Sequence, residues 1–128
     1  MVDAPAGRIT GWRDGDVIRA TGIPYARAGR FEKPVPVLDL GEFEACEWSP
    51  SAPQNPAEEP PLFGPELRDL PVSEDCQNLS ITVPGDIREG EKLPVIVWIH
   101  GGSYVAGAGD SSFTDPARFV IERRVVVV

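Results

Sequence analysis

The apolar positions of the chain fall into a few short runs with turn residues between them. Arg8-Ile9-Thr10-Gly11-Trp12 and Val17-Ile18-Arg19-Ala20-Thr21 flank Arg13-Asp14-Gly15-Asp16, which predicts a β-hairpin turning at its glycine. Gly22-Ile23-Pro24-Tyr25-Ala26 follows, and its proline predicts an edge or connecting segment rather than a central strand. Leu79-Ser80-Ile81-Thr82-Val83 alternates with period two, so it predicts a strand with one face buried. Pro84-Gly85-Asp86 turns it, and Arg88 to Lys92 reads as an exposed connection.

Val95 to Ile99 is a continuous, mostly β-branched apolar run, preceded by Pro94 and closed by Gly101-Gly102. Such a run predicts a strand buried on both faces, as in a parallel α/β sheet. Thr114-Asp115-Pro116 supplies a capping side chain and a proline for the first turn of a short helix, Pro116 to about Arg124. Phe119, Val120 and Glu122 set its faces, and Arg123 and Arg124 complement its dipole. Val125 to Val128 begins another strand, so the order is strand, loop, helix, strand, the pattern of a parallel sheet.

Between Pro34 and Pro71 the chain is rich in proline, poor in apolar periodicity and acidic in places, the composition of a linker. Yet Phe43, Trp48, Leu62, Phe63, Leu67 and Leu70 are too many large apolar groups for a solvated linker. The segment reads as a loop-rich layer over a core, with a short helical turn near Pro65 to Leu70. At 128 residues, the chain fits one small domain or part of a larger one. Its 14 prolines and 13 glycines point to many turns and few long helices.

The net charge of −8 speaks against nucleic acid or an anionic membrane surface as a partner, since both call for basic patches. The first residues lack the basic and apolar regions of a signal peptide, and no stretch reaches the length of a membrane span. The expected location is therefore the cytoplasm. With two cysteines and one histidine, no metal site is expected, and nothing calls for a cofactor.

Candidate chemistry concentrates after the Val95 run, at His100-Gly101-Gly102-Ser103. Adjacent glycines let the backbone turn sharply and present bare N–H groups to an anion, or to an oxygen that becomes one during reaction. A phosphate-binding P-loop is excluded, because Ala108-Gly109 stands where Lys-Ser/Thr belongs after Gly102 and Gly107. A dinucleotide loop starting at Gly107 and Gly109 is excluded by Ser112 at the third glycine position. What remains is the His-Gly-Gly-Gly type of loop that supplies oxyanion-hole N–H groups in α/β-hydrolases, or a tight turn without chemistry.

Taken together, the segments resemble the type B carboxylesterase family, which includes bacterial carboxylesterases and cholinesterases. The resemblance rests on Gly22-Ile23-Pro24-Tyr25-Ala26, Arg30-Phe31 with Pro34, and Ala52-Pro53-Gln54. It continues through Ser73-Glu74-Asp75-Cys76 with Leu79 and Ile81, Pro94 to Gly102, and Val125 to Val128, in the family's order. It implies an α/β-hydrolase fold, with residues 1–128 as the N-terminal part of one such domain. The expected pieces are an N-terminal hairpin, a long proline-rich loop region and the first strands of the central sheet with one short helix.

The resemblance further implies hydrolysis of small-molecule carboxylic esters by a serine nucleophile with an acid and a histidine. Residues 1–128 contain no G-x-S-x-G elbow, so this segment is expected to carry the oxyanion loop but not the triad, and to be inactive alone. By matching position, the N–H groups of Gly102 and Ser103 would be the oxyanion donors, with Gly101 and His100 supporting the loop. Ser103 replaces a commoner glycine, and its Cβ demands a compatible φ; a positive φ there weighs against the assignment. Arg30 and Glu74 match a buried ion pair. Cys76 matches a half-disulfide whose partner position is Ala52 here, so both thiols are expected to be free. The alternatives are a non-catalytic interaction module or truncated inactive relic of the same fold, and another His-Gly-Gly esterase of lipase type.

Overall fold

A computed structural model of the chain describes residues 1–55 and 68–128. The elements are β1 (Val2–Ala4), β2 (Gly7–Thr10), β3 (Trp12–Asp14), β4 (Val17–Pro24), β5 (Ala26–Arg27), β6 (Val35–Pro36), β7 (Gly41–Glu44), β8 (Asn78–Pro84), β9 (Val95–Ile96), a 3₁₀ turn (Ser112–Thr114), α1 (Ala117–Arg123) and β10 (Val126–Val127). The main sheet has five strands in the order β3-β4-β8-β10-β9. A smaller sheet, β1-β2-β7, and a two-stranded β5-β6 ribbon stand beside it.

The expected hairpin is there in part. Asp14 pairs with Val17 and Trp12 with Arg19, around Gly15 at φ +56°. The first arm, however, is split at Gly11. A Cβ there would fall on the Arg19 carbonyl, so the backbones approach too closely for any other residue. Ahead of Gly11 the chain leaves for the small sheet, where β2 pairs with β1 and β7.

β4 runs further than its proline suggested. Pro24 is its last residue and lies opposite Asn78, at a strand end where a missing N–H is tolerated. The β4–β8 register shifts between Ala20 and Ile23, at Gly22, whose φ is +70°. The β4 burial pattern alternates strictly, with Val17, Arg19, Thr21 and Ile23 on the buried face.

The βαβ reading holds: β9 and β10 are parallel neighbours, Val126 opposite Val95 and Val127 opposite Ile96, joined through α1. Asp115 caps that helix, its Oδ1 accepting from the Ala117 N–H at 2.8 Å. Arg124 ends it in the left-handed conformation at φ +50°. Val120, fully buried, packs with Val17, Val125 and Val127 to form the core.

Two expectations are corrected. The Val95 run was read as buried on both faces, yet regular pairing covers only Val95–Ile96, and Val97 and Ile99 are 69% and 84% exposed. β9 is the outermost strand of its sheet, bonded to β10 on one side. The region after Pro34 also contains two unforeseen strands, β6 and β7. Leu62, Phe63 and Leu67, and the first half of the turn expected from Pro65 to Leu70, lie outside the described residues; Arg68 to Leu70 form no helical turn.

Candidate functional site

The glycine loop leaves the sheet immediately after β9. The Trp98 N–H donates to the Val128 carbonyl at 2.7 Å, which extends the ladder by one pair before the chain turns away. The turn is built on Gly102, whose carbonyl accepts from the N–H groups of Val105 (3.0 Å) and Ala106 (3.1 Å). Gly102 has φ +129°, and a Cβ there would fall on the Ala106 carbonyl oxygen, so glycine is obligatory.

Ser103 and Tyr104 follow at φ +54° and +62°, two successive side-chain-bearing residues in the left-handed region. Residues with a Cβ pay for that conformation, and such outliers cluster at ligand and active sites. Gly102 and Ser103 are exposed, and their N–H groups have no hydrogen-bond partner among the described residues. The loop therefore presents two adjacent free donors. His100 turns its Nδ1 to the Gly101 carbonyl at 2.8 Å and contacts no serine hydroxyl among the described residues.

A second segment, Trp48 to Gln54, lies against the far limb of this loop. The Ser49 N–H and the Ser80 hydroxyl both donate to Asp110 Oδ2 at 2.8 Å. The Gly22 N–H in turn donates to the Ser49 hydroxyl at 3.1 Å. The Gln54 side chain grips the Gly107 peptide at both ends. Its Oε1 accepts from the Gly107 N–H at 2.9 Å, and its Nε2 donates to the Gly107 carbonyl at 3.0 Å. Asp110 and Gln54 thus fix the loop at two points.

Behind the loop stands a charged cluster. Arg19, its side chain 4% exposed, bonds Asp14 at 2.7 Å and both oxygens of Asp115 at 3.0 Å. Arg68 pairs with the same Asp115 and donates to the Asp110 carbonyl at 2.6 Å. Both guanidinium groups lie over the Trp48 ring, Arg68 at 4.1 Å and Arg19 at 5.4 Å. Partial burial by itself would raise the Asp115 pKa. The Ala117 N–H and the two arginines outweigh that and hold the carboxyl below its ordinary value of 3.8. A cleft of about 940 Å³, lined by Trp48, Ser80, Trp98, His100 and Asp110 among others, opens in front of this cluster.

Of the residues singled out in the sequence, His100, Gly101, Gly102 and Ser103 share the one loop. Arg30 and Glu74 do meet, at 3.2 Å, but their side chains are 67% and 54% exposed. The expectation of a buried pair is corrected: no described element covers it from solvent. Cys46 and Cys76 are free thiols. The side-chain nitrogen of Asn78, in an N-x-S sequence, is buried within β8 and has no partner among the described residues. No group of His, Cys, Asp or Glu suited to a metal ion occurs among the described residues.

Sequence reading missed the buried Arg19, Asp110 and the grip of Gln54. The alternation Val17-x-Arg19-x-Thr21 carried a signal for the first, because it places an arginine on the apolar side of a strand. Gln54 and Asp110 meet the loop through contacts 53 and 61 residues apart, which no local pattern reveals.

A family model described as the Carboxylesterase family matches residues 1–128. Over 99% of its length, the chain is 38% identical to a probable N-octanoylanthranilate hydrolase of Rhodococcus erythropolis, of which it covers 28%. It is 32% identical over its whole length to the para-nitrobenzyl esterase of Bacillus subtilis, covering 26% of that protein. Among solved structures, a thermophilic PNB esterase superposes on 98% of the chain with a TM-score of 0.80 and 31% identity, and the chain covers 26% of it. The chain thus spans about a quarter of the length of the relatives it matches.

Proposed function

The chain belongs to the carboxylesterase family, and from that premise we propose that residues 1–128 supply the oxyanion-binding loop of a serine ester hydrolase. The observation that carries this reading is the pair of adjacent, exposed and unpartnered N–H groups at Gly102 and Ser103, on a loop that leaves the C-terminal end of a parallel strand. In ester hydrolysis, a serine attacks the carbonyl carbon while a histidine, oriented by an acid, takes its proton. The carbonyl oxygen becomes an oxyanion, and pre-aimed N–H groups stabilise it more than they stabilise the ester. Loss of one such donor typically costs roughly 3 kcal/mol of transition-state stabilisation.

The positive φ of Ser103 weighs against this residue, since a glycine would hold the turn without strain. The strain falls on its Cβ, however, and leaves the N–H in place and unpaired. Gly101 and His100 are loop support in this reading, and His100 is not the base. In this reading the nucleophile lies outside residues 1–128, which contain no G-x-S-x-G, and the acid and histidine, which follow the serine in α/β-hydrolase chain order, lie beyond it. The substrate is a small-molecule ester, and the setting is cytoplasmic, with which two free thiols are compatible.

The test is a fluorophosphonate label together with a para-nitrophenyl ester assay on the 128-residue chain. Neither labelling nor turnover above background is expected. A labelled serine within these residues would overturn the placement of the nucleophile.

A further inference from the structure

We propose that Gln54 is a positioning residue for the two oxyanion donors, acting through the Gly107 peptide. The inference rests on the reading of Gly102 and Ser103 given above and goes beyond it to the part that holds them in place. The glycine loop is exposed and contains two strained residues, so its own bonds do little to fix it. Its near limb is tied to the sheet through Trp98. Its far limb returns at Gly107, φ +109°, where a Cβ would lie 2.9 Å from His100 Nδ1 and closer still to the Gly101 carbonyl. Gly107 is therefore packed directly on the hinge from which Gly102 and Ser103 emerge.

The only side chain among the described residues that bonds the Gly107 peptide is Gln54, and it bonds both the N–H and the carbonyl. Its Nε2 is shared with the Ala52 carbonyl at 3.1 Å, which fixes the amide plane from its own side. A primary amide is suited to this grip, because it carries a donor and an acceptor side by side, the complement of a peptide edge. Alanine lacks both groups, and asparagine is one methylene too short. A glutamate keeps the acceptor, but when ionised it sets a second acceptor against the Gly107 carbonyl; protonated, it regains a donor.

The experiment uses nuclear magnetic resonance on the full-length protein that carries residues 1–128. In the unaltered chain, a through-hydrogen-bond coupling between the Gly107 nitrogen and the Gln54 side-chain carbonyl carbon is expected. Its absence overturns the proposal without any variant. In Gln54→Ala, exchange of the Gly107 amide should speed about tenfold. The backbone order parameters of Gly102 and Ser103 should fall from about 0.85 to below about 0.6 while those of β8 stay unchanged. Gln54→Glu should behave like the alanine variant at neutral pH and recover on acidification through its carboxyl titration, a rescue that a general packing role would not give.

Rigid Gly102 and Ser103 in a folded Gln54→Ala chain would overturn the positioning role and leave the oxyanion reading intact. Labelling of a serine within residues 1–128 would overturn the reading and leave the grip on Gly107 standing. Should the alanine variant fail to fold, the glutamate variant, compared with itself across pH, decides the question.

Discussion

Nη2 of Arg19 lies 3.0 Å from both carboxylate oxygens of Asp115, 96 residues away in sequence. One residue belongs to the buried face of β4, and the other caps α1. The pair therefore ties the first strand layer to the helix that connects β9 and β10. Removing one member of a buried pair leaves the other charge uncompensated, which typically costs about 3–5 kcal/mol. Arg19→Ala should destabilise the chain by roughly 3 kcal/mol, the low end of that range, because Asp115 retains Arg68. Urea titration followed by the fluorescence of Trp12 and Trp48, which pack edge-on at 5.4 Å, would read it directly. A loss below about 1 kcal/mol, the worth of an exposed pair, would show that the contact is not structural.

The same carboxylate fixes a pH dependence. Its folded pKa lies below the ordinary 3.8, so the folded state binds this proton less readily than the unfolded chain does. Its stabilisation is complete above the unfolded value and is lost as the pH falls through 3.8 toward the lower folded value. Asp86 and Glu91 are also depressed: the Arg124 side chain is the main cause at Asp86, and the Arg88 N–H, then Arg124, at Glu91. The contribution of Asp115 is thus isolated as the difference between the chain and Asp115→Asn. That difference should grow as pH rises through the window and level off above it. A difference independent of pH would show that the carboxylate charge of Asp115 does not set the stability, since asparagine keeps the oxygen that caps the helix.

Ser103 carries a cost that glycine would not. Ser103→Gly keeps the N–H and relieves a left-handed residue, so it should stabilise the chain by up to about 1 kcal/mol. Ser103→Val, β-branched at the same φ, should lower stability by more than that. Thermal melts of the two variants separate these outcomes, and a destabilised glycine variant would mean that the serine side chain earns its place through a contact.

Glu74→Ala should change stability by no more than about 1 kcal/mol, because the Arg30–Glu74 pair at 3.2 Å is open to solvent on both sides. Added salt should erase what effect there is. A loss of about 3 kcal/mol in the same titration would indicate a buried pair.

The fold was legible wherever one element announced itself locally. Leu79 to Val83 forms a strand, although its buried residues are Thr82 and Pro84 rather than the alternating Leu79, Ile81 and Val83; Asp115-Pro116 starts a helix, and the two valine-rich runs around that helix became parallel partners. It was less legible where a single residue changes the destination of a strand. Gly11 sends Gly7–Thr10 to a different sheet through a close approach to Arg19, and composition does not register such an approach. The glycine loop was visible because its requirement, bare N–H groups on a sharp turn, is written in adjacent residues. The parts that hold it, Gln54 and Asp110, were not, because the Gln54–Gly107 and Ser49–Asp110 hydrogen bonds span 53 and 61 residues. The exposure of Val95 to Ile99 is that of residues 1–128 alone, whereas an apolar run by itself reads as enclosed.

The most direct measurement is to read the coding sequence beyond the codon for Val128. An open frame that continues into G-x-S-x-G, followed by an acidic residue and a histidine, is the expected result, and it would join the Gly102–Ser103 donors to a nucleophile they serve. A stop codon at that point would contradict the proposed function, because the two N–H groups would have no oxyanion to hold.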